Sequence, residues 1–239
     1  MKLEKLLRGW GEKGRKEVRE QLRQGLVSVN GELEFEAAAL IGPFDSVWCD
    51  GQCVQSRKRR AVMLHKPLGV VSATRDEEHE TVVDLIQEDW AEELHLAGRL
   101  DRFTSGLMIL TNESALSERL TLPGEKLGKR YRVKCAQAFS HEVIEACRAG
   151  LWFEKEQIQT QPAQFESIAS DECLLTIYEG KHHQVKRMFA RFGIKVLALH
   201  REAMGPLELD PLLAPGQWRL LTEEERVLIE RTPQVWAKG

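Results

Sequence analysis

The sequence predicts an α+β fold in two parts: a small αβ unit at the N-terminus, then a larger domain on a mixed, mainly antiparallel sheet flanked by helices. Three observations carry this. From Ala61 onward, strand-like and helix-like stretches mix without the regular alternation that a parallel sheet requires. Within residues 3–50, two short helical patterns are followed by a hairpin signal. Between the two lies the basic run Arg57-Lys58-Arg59-Arg60, which reads as a linker. Residues 1–58 are therefore taken as one domain and 59–239 as the second.

Residues 3–24 read as two short helices broken between Gly9 and Gly14, with Gly25 as the stop of the second. Leu26-Val27-Ser28-Val29 then runs into Asn30-Gly31, a pair that tolerates positive φ at both centres of a type I′ turn. A further strand is expected near Ser46-Val47-Trp48. In the larger domain, strands are expected at 61–65, 69–73, 107–111, 130–136, 163–168, 173–178, 195–200 and 217–221. Helices are expected at 81–88, 113–121, 140–150, 183–192 and 222–231. The last begins with Thr222-Glu223-Glu224-Glu225, a capping-box spacing in which hydroxyl and carboxylate satisfy each other's free backbone N–H.

The 239 residues are 42% hydrophobic and 30% charged, enough for a sizeable core. No apolar run approaches the roughly 20 residues needed to span a bilayer, and Met1-Lys2-Leu3-Glu4-Lys5 opens no signal peptide, so the expected location is cytoplasmic. The five cysteines are scattered and odd in number, which points to reduced thiols. Cys49 and Cys53 form a close pair, but no second pair at ligand spacing completes a metal site.

A net charge of −3 argues against nucleic acid as a partner until the charges are located. Residues 1–23 hold eight basic side chains, among them Lys5, Arg15 and Arg19, against four acidic ones. The stretch 180–201 carries Lys181, Lys186, Arg187, Arg191, Lys195 and Arg201 with no acidic residue. Such local patches suit phosphate contacts, although solvated helix faces carry similar runs.

One segment stands out chemically. In Gly98-Arg99-Leu100-Asp101-Arg102-Phe103-Thr104-Ser105-Gly106, glycines bracket a charged triplet and small hydroxyls lead into an apolar strand. Asp101 is thereby expected on a tight loop held against a rigid sheet. On these grounds alone, a turn-capping Asp partnered by Arg99 or Arg102 is the competing reading.

Gly98-Arg99-Leu100-Asp101, followed by Thr104 to Leu107, resembles the signature of the pseudouridine synthases that act on small-subunit ribosomal RNA. Three further stretches resemble that family's motifs in the same order: His65-Lys66-Pro67-Leu68-Gly69-Val70, Gly128-Lys129-Arg130-Tyr131-Arg132-Val133, and the run Glu179 to Phe189. Residues 1 to about 58 resemble the S4-like RNA-binding domain that commonly precedes the catalytic domain. Phe103 is a departure, since many relatives carry an acidic or polar residue there.

The resemblance implies a pseudouridine synthase fold and a catalytic role at the ribose for Asp101, as nucleophile or as base. It also implies Tyr131 against the target base and Lys186 as the cation paired with Asp101, with Arg187 as the alternative. On the expected helix, Val185, Met188, Phe189 and Phe192 share one face, which puts Lys186 at its edge and Arg187 with Arg191 on another. Tyr131 lies between Arg130 and Arg132 on an expected strand, so its ring points away from theirs. Arg99, Lys129, Arg187, Arg191, Lys5, Arg15 and Arg19 are the expected RNA contacts. No cofactor is implied. The implied partner is ribosomal RNA, free or in a partly assembled small subunit, bound by a monomer with no membrane involved. Rival readings are a non-catalytic assembly factor, and a synthase for large-subunit or transfer RNA.

Overall fold

The computed structural model describes residues 1–121, 127–154 and 156–232. They divide into two compact units, Met1–Arg59 and Arg60 onward. No helix among them is long and apolar enough to cross a membrane.

The first unit packs α1 (Leu3–Gly11) and α2 (Arg15–Arg23) on a four-stranded sheet ordered β2-β1-β3-β4, with β1 Val27–Val29, β2 Glu32–Leu33, β3 Val47–Cys49 and β4 Gln52–Gln55. Leu3 and Leu7 on α1 and Val18 and Leu22 on α2, each pair one turn apart, are buried with Val27, Ile41 and Val47. Asn30 and Gly31 take φ of 52° and 87°, as the expected type I′ turn requires. The sequence reading passed over β4, although Asp50-Gly51 repeats the same signal with φ of 51° and 72°.

The second unit contains β5 (Ala61–Lys66), β6 (His95–Ala97), β7 (Ser105–Thr111), α3 (Ser114–Thr121), β8 (Lys129–Cys135) and α4 (His141–Ala149). A small hairpin, β9 (Trp152–Phe153) and β10 (Ile158–Gln159), leads to β11 (Gln164–Ala169), β12 (Glu172–Ile177) and α5 (Gln184–Ala190). The chain continues through β13 (Val196–Met204), β14 (Leu207–Glu208), β15 (Trp218–Leu220) and α6 (Glu223–Arg231). The main sheet runs β11-β12-β8-β13-β7-β5-β15, with β6 on β7 and β14 on β13. Among the described ladders of this sheet only β7 and β13 pair parallel, at His200↔Ser105 and Arg201↔Gly106; the others are antiparallel.

The two halves of the sheet are buried differently, and the sequence carries the difference. Leu107, Met108, Ile109 and Leu110 form an unbroken apolar run because β7 is covered on both faces: Leu107 and Ile109 pack with α3 and α6, Met108 and Leu110 with Val70, Val82 and Ile86. β8 alternates instead. Tyr131, Val133 and Cys135 face a core shared with α4 and α5, while Arg130 and Arg132 point outward.

Two expectations fail. Residues 69–73 are no strand: Gly69 turns at φ 89° and gives its N–H to Arg102 O, and Val71 makes only an isolated bridge to Thr81. Residues 81–88 are no helix. Thr81 and Asp84 cap each other (Thr81 N to Asp84 Oδ2 2.7 Å, Asp84 N to Thr81 Oγ1 3.2 Å), closing a local turn that buries Val82, Val83 and Ile86 at a spacing that imitates a helix face. The first stretch contacts the loop that carries Asp101, through Gly69 N to Arg102 O and Ser72 Oγ to Leu100 O. The capping box at Thr222 and Glu225 forms as expected.

Candidate active site

Asp101 lies on the loop between β6 and β7, and that loop is fixed from beneath. Lys66, at the end of β5, is fully buried, and its ammonium donates to three carbonyls: Pro67 O at 2.9 Å, Thr104 O at 3.0 Å and Arg102 O at 3.2 Å. Ser72 Oγ donates to Leu100 O and accepts from Leu100 N. The Arg102 guanidinium donates to Gly69 O and touches His79 Nε2, so Arg102 braces the loop rather than the Asp101 carboxylate. A turn closes from Thr104 N to Asp101 O at 2.9 Å. The Asp101 side chain is left about a quarter exposed, facing α5.

Two nitrogen-bearing side chains meet it there. Lys186 Nζ stands 3.3 Å from Oδ2 and His183 Nε2 3.4 Å from Oδ1. α5 delivers both because Val185, Met188 and Phe189 anchor it in the core, while His183 adopts a left-handed φ of 51° just before its first turn. Lys66 also feels Asp101: burial lowers its pKa to about 8, the Asp101 charge opposing and Lys186 assisting that shift.

Beside Asp101 opens a cavity of about 480 Å³ whose lining includes Arg99, Thr104, Lys129, Tyr131, Glu179, His183 and Arg201. Its size suits a single nucleotide. Tyr131 is 7% exposed and sits opposite both Leu175 and Arg201 in the sheet register. Burial, then the nearby charge of Arg201, lower Lys129 to about 8, with Glu179 opposing.

The structure thus gathers Asp101, Tyr131, Lys129, Arg99 and Lys186 around one cleft. Arg187 points elsewhere, bidentate to Glu156 and stacked 3.9 Å from the Phe153 ring centre. Arg191 is exposed past the end of α5. Lys5, Arg15 and Arg19 are exposed on the first unit, with Arg15 Nε 3.1 Å from Glu4. Neither Lys66 nor His183 is among the expected site residues, and Arg201, counted in the basic stretch 180–201 that suits phosphate contacts, is instead buried. A signal for Arg201 existed: Leu199, Arg201 and Ala203 alternate along β13 on the buried side, so an arginine occupies a core position.

Comparison with known proteins follows the same lines. A family model described as RNA pseudouridylate synthase matches residues 60–191. A Pseudomonas aeruginosa protein named ribosomal small subunit pseudouridine synthase A is 44% identical over 94% of this chain and 98% of its own length. Proteins of the same name from Vibrio cholerae and Escherichia coli K12 are each 41% identical, over 88% and 86% of this chain and 91% and 89% of their own lengths. A solved structure titled "Crystal structure of pseudouridylate synthase" superposes with a TM-score of 0.70 at 33% identity, covering 96% of this chain and 99% of that one.

Proposed function

The chain belongs to the RNA pseudouridylate synthase family, and from that premise we propose that it isomerises one uridine of small-subunit ribosomal RNA to pseudouridine, with Asp101 as the catalytic carboxylate. The observation that carries the reading is the Asp101–Lys186 pair at 3.3 Å, beside a nucleotide-sized cavity walled by Tyr131. The reaction breaks the N1–C1′ bond, turns the base, joins C5 to C1′ and moves one proton from C5 to N1. It consumes no redox equivalent. It needs an ionised carboxylate held at the sugar, as nucleophile at C1′ or as base beside it. Lys186 stands beside Asp101 as its counter-charge, and Lys66 keeps its loop still. Tyr131 gives the base a surface to stack on after it leaves the RNA stack, a contact worth about 1–3 kcal/mol.

The substrate class rests on the relatives' shared name across most of the chain. In this reading the first unit is an S4-like RNA-binding domain presenting Lys5, Arg15 and Arg19, and on the second unit Arg99 and Arg191 meet the backbone. The protein works as a cytoplasmic monomer on ribosomal RNA, free or in a partly assembled small subunit.

Mapping pseudouridines in ribosomal RNA from cells with and without this protein tests the reading, paired with Asp101→Asn assayed on a small-subunit transcript. One modified position should disappear without the protein. The variant should bind the transcript nearly normally and form no pseudouridine. An unchanged map, or full turnover by the variant, overturns the proposal.

A further inference from the structure

The floor of the cavity holds a charge that no carboxylate among the described residues pairs with. Arg201 is 1% exposed and heads the fully buried side chains by volume. A guanidinium stays protonated in any protein environment, and a buried, unpaired charge is costly. Among the described residues, its one hydrogen bond runs from Nε to Leu107 O at 2.8 Å, and Nη2 has no acceptor. Among those residues it joins no carboxylate. Thr104 Oγ1, on the same cavity wall, is likewise buried without a partner.

The fold commits structure to keeping Arg201 there. β13 meets β7 so closely that a Cβ on Gly106 would lie 2.3 Å from Arg201 O and 2.6 Å from Arg201 N, and Gly106 has φ 111°. Only glycine permits that approach. In the antiparallel register Arg201 stands directly opposite Tyr131, so guanidinium and ring share one face of the sheet. A base stacked on Tyr131 would present its edge to Arg201. A phosphate is a poorer fit, because the RNA backbone stays in solvent while Arg201 is closed off from it, and the rim already offers the exposed Arg99.

We propose that Arg201 is a catalytic residue of this site: its open Nη2 donates to a carbonyl oxygen of the extruded uracil and stabilises the negative charge the base carries once detached. The inference rests on the synthase reading above. When the N1–C1′ bond breaks, its electron pair stays on uracil and spreads over N1, O2 and O4. The new C5–C1′ bond then uses the ring's electrons, C5 loses its proton and N1 gains one, so the rejoined base ends neutral. A fixed cation in a water-poor pocket favours the charged stage over the neutral ones at both ends. Thr104 Oγ1 supplies a second unmet donor on the same wall.

The test uses the full chain and a small-subunit ribosomal RNA fragment carrying uridine, 2-thiouridine or 4-thiouridine at the mapped position, with wild type, Arg201→Gln and Arg201→Lys. Arg201→Gln should lower kcat roughly 100- to 1000-fold with KM changed less than about threefold, and Arg201→Lys should recover part of the loss. The salt dependence of binding should not move. One thio substitution should slow the wild type yet cost Arg201→Gln nothing further, because sulfur and the missing guanidinium remove the same contact. A purely structural Arg201 gives additive losses with both thio substrates, and a phosphate contact flattens the salt slope by about one; either result overturns the proposal. Should Arg201→Gln fail to fold, Arg201→Lys carries the same comparison. A wild type inactive on the uridine fragment counts against the synthase reading, whereas an active wild type with additive losses counts against Arg201 alone.

Discussion

Strands β8 and β13 present opposite electrostatics on their two faces. Outward, Arg132 reaches Glu202 at 2.6 Å and Glu172 at 3.0 Å, Arg130 reaches Glu208 at 2.9 Å, and Lys134 reaches Asp171 at 2.8 Å. Inward, one residue along from Glu202, Arg201 is buried without a carboxylate, and Lys129 shares the cavity with it. Where water screens them, these three cations meet four carboxylates. Where water is excluded and charge acts most strongly, positive charge is left in excess. An acidic overall balance therefore says little about this protein's dealings with RNA, because the surface cancels its own charge and the cleft does not.

Lys66 offers the largest break in that contrast, since it is the inward cation whose ammonium is fully used. Lys66→Met strands two carbonyls, Pro67 O and Thr104 O, while Arg102 O keeps the Gly69 N–H; the loss is about 1–3 kcal/mol for each group left without a partner. The loop that aims Asp101 then shifts, and a displacement near 1 Å costs turnover on the order of 100-fold. Thermal unfolding with single-turnover assays checks both halves. A variant as stable and as fast as the wild type would remove Lys66 from the site's support.

Lys66 also shows how far the sequence could be read. Patterns that depend on neighbouring residues were legible: the left-handed Asn30-Gly31 pair, the Thr222–Glu225 cap, the core stripe Val185, Met188 and Phe189, and the alternation that turns Tyr131 from Arg130 and Arg132. Asp101 stood out because its bracketing glycines are local too. Features set by distant chain segments were not legible. Val82, Val83 and Ile86 are apolar because they cover β5 and β7, and their spacing suggested a helix where a capped turn exists. His183 reaches Asp101 only because the fold brings α5 to the β6–β7 loop. Arg201 and Lys66 were hidden for a related reason: a buried charge looks like a surface one until its burial is known.

A smaller effect comes from pH. Lys66 and Lys129 are both lowered to about 8, chiefly by burial. Below that value each is protonated, and Lys66 then has three N–H groups for its three carbonyls. As pH rises through about 8 the ammonium loses a proton, one carbonyl loses its donor, and the cavity loses positive charge. Turnover should accordingly fall on the alkaline side, by several-fold to roughly tenfold per pH unit, while binding at the exposed cations persists. Profiles of kcat from about pH 6.5 to about 9.5 test this, and Lys129→Met should leave the alkaline limb due to Lys66 in place. A profile flat to the upper limit would contradict the inward half of the comparison.

The outward face should respond least. Arg132 lies between Glu202 and Glu172, and both carboxylates hold its pKa above the usual arginine value. That arrangement looks strong, yet the side chain is 44% exposed and water competes for every partner. Arg132→Gln should therefore change stability by no more than about 1 kcal/mol, and the difference should shrink further at high salt. Turnover should stay within about twofold, because Arg132 and Tyr131 point to opposite faces and the glutamine leaves the strand's alternation intact. Urea unfolding at low and high salt, alongside kcat on the same transcript, measures both. A loss of turnover comparable to that of Arg201→Gln would mean that charge on the two faces is coupled through the sheet, and the division between a cancelled surface and an uncancelled cleft would no longer hold.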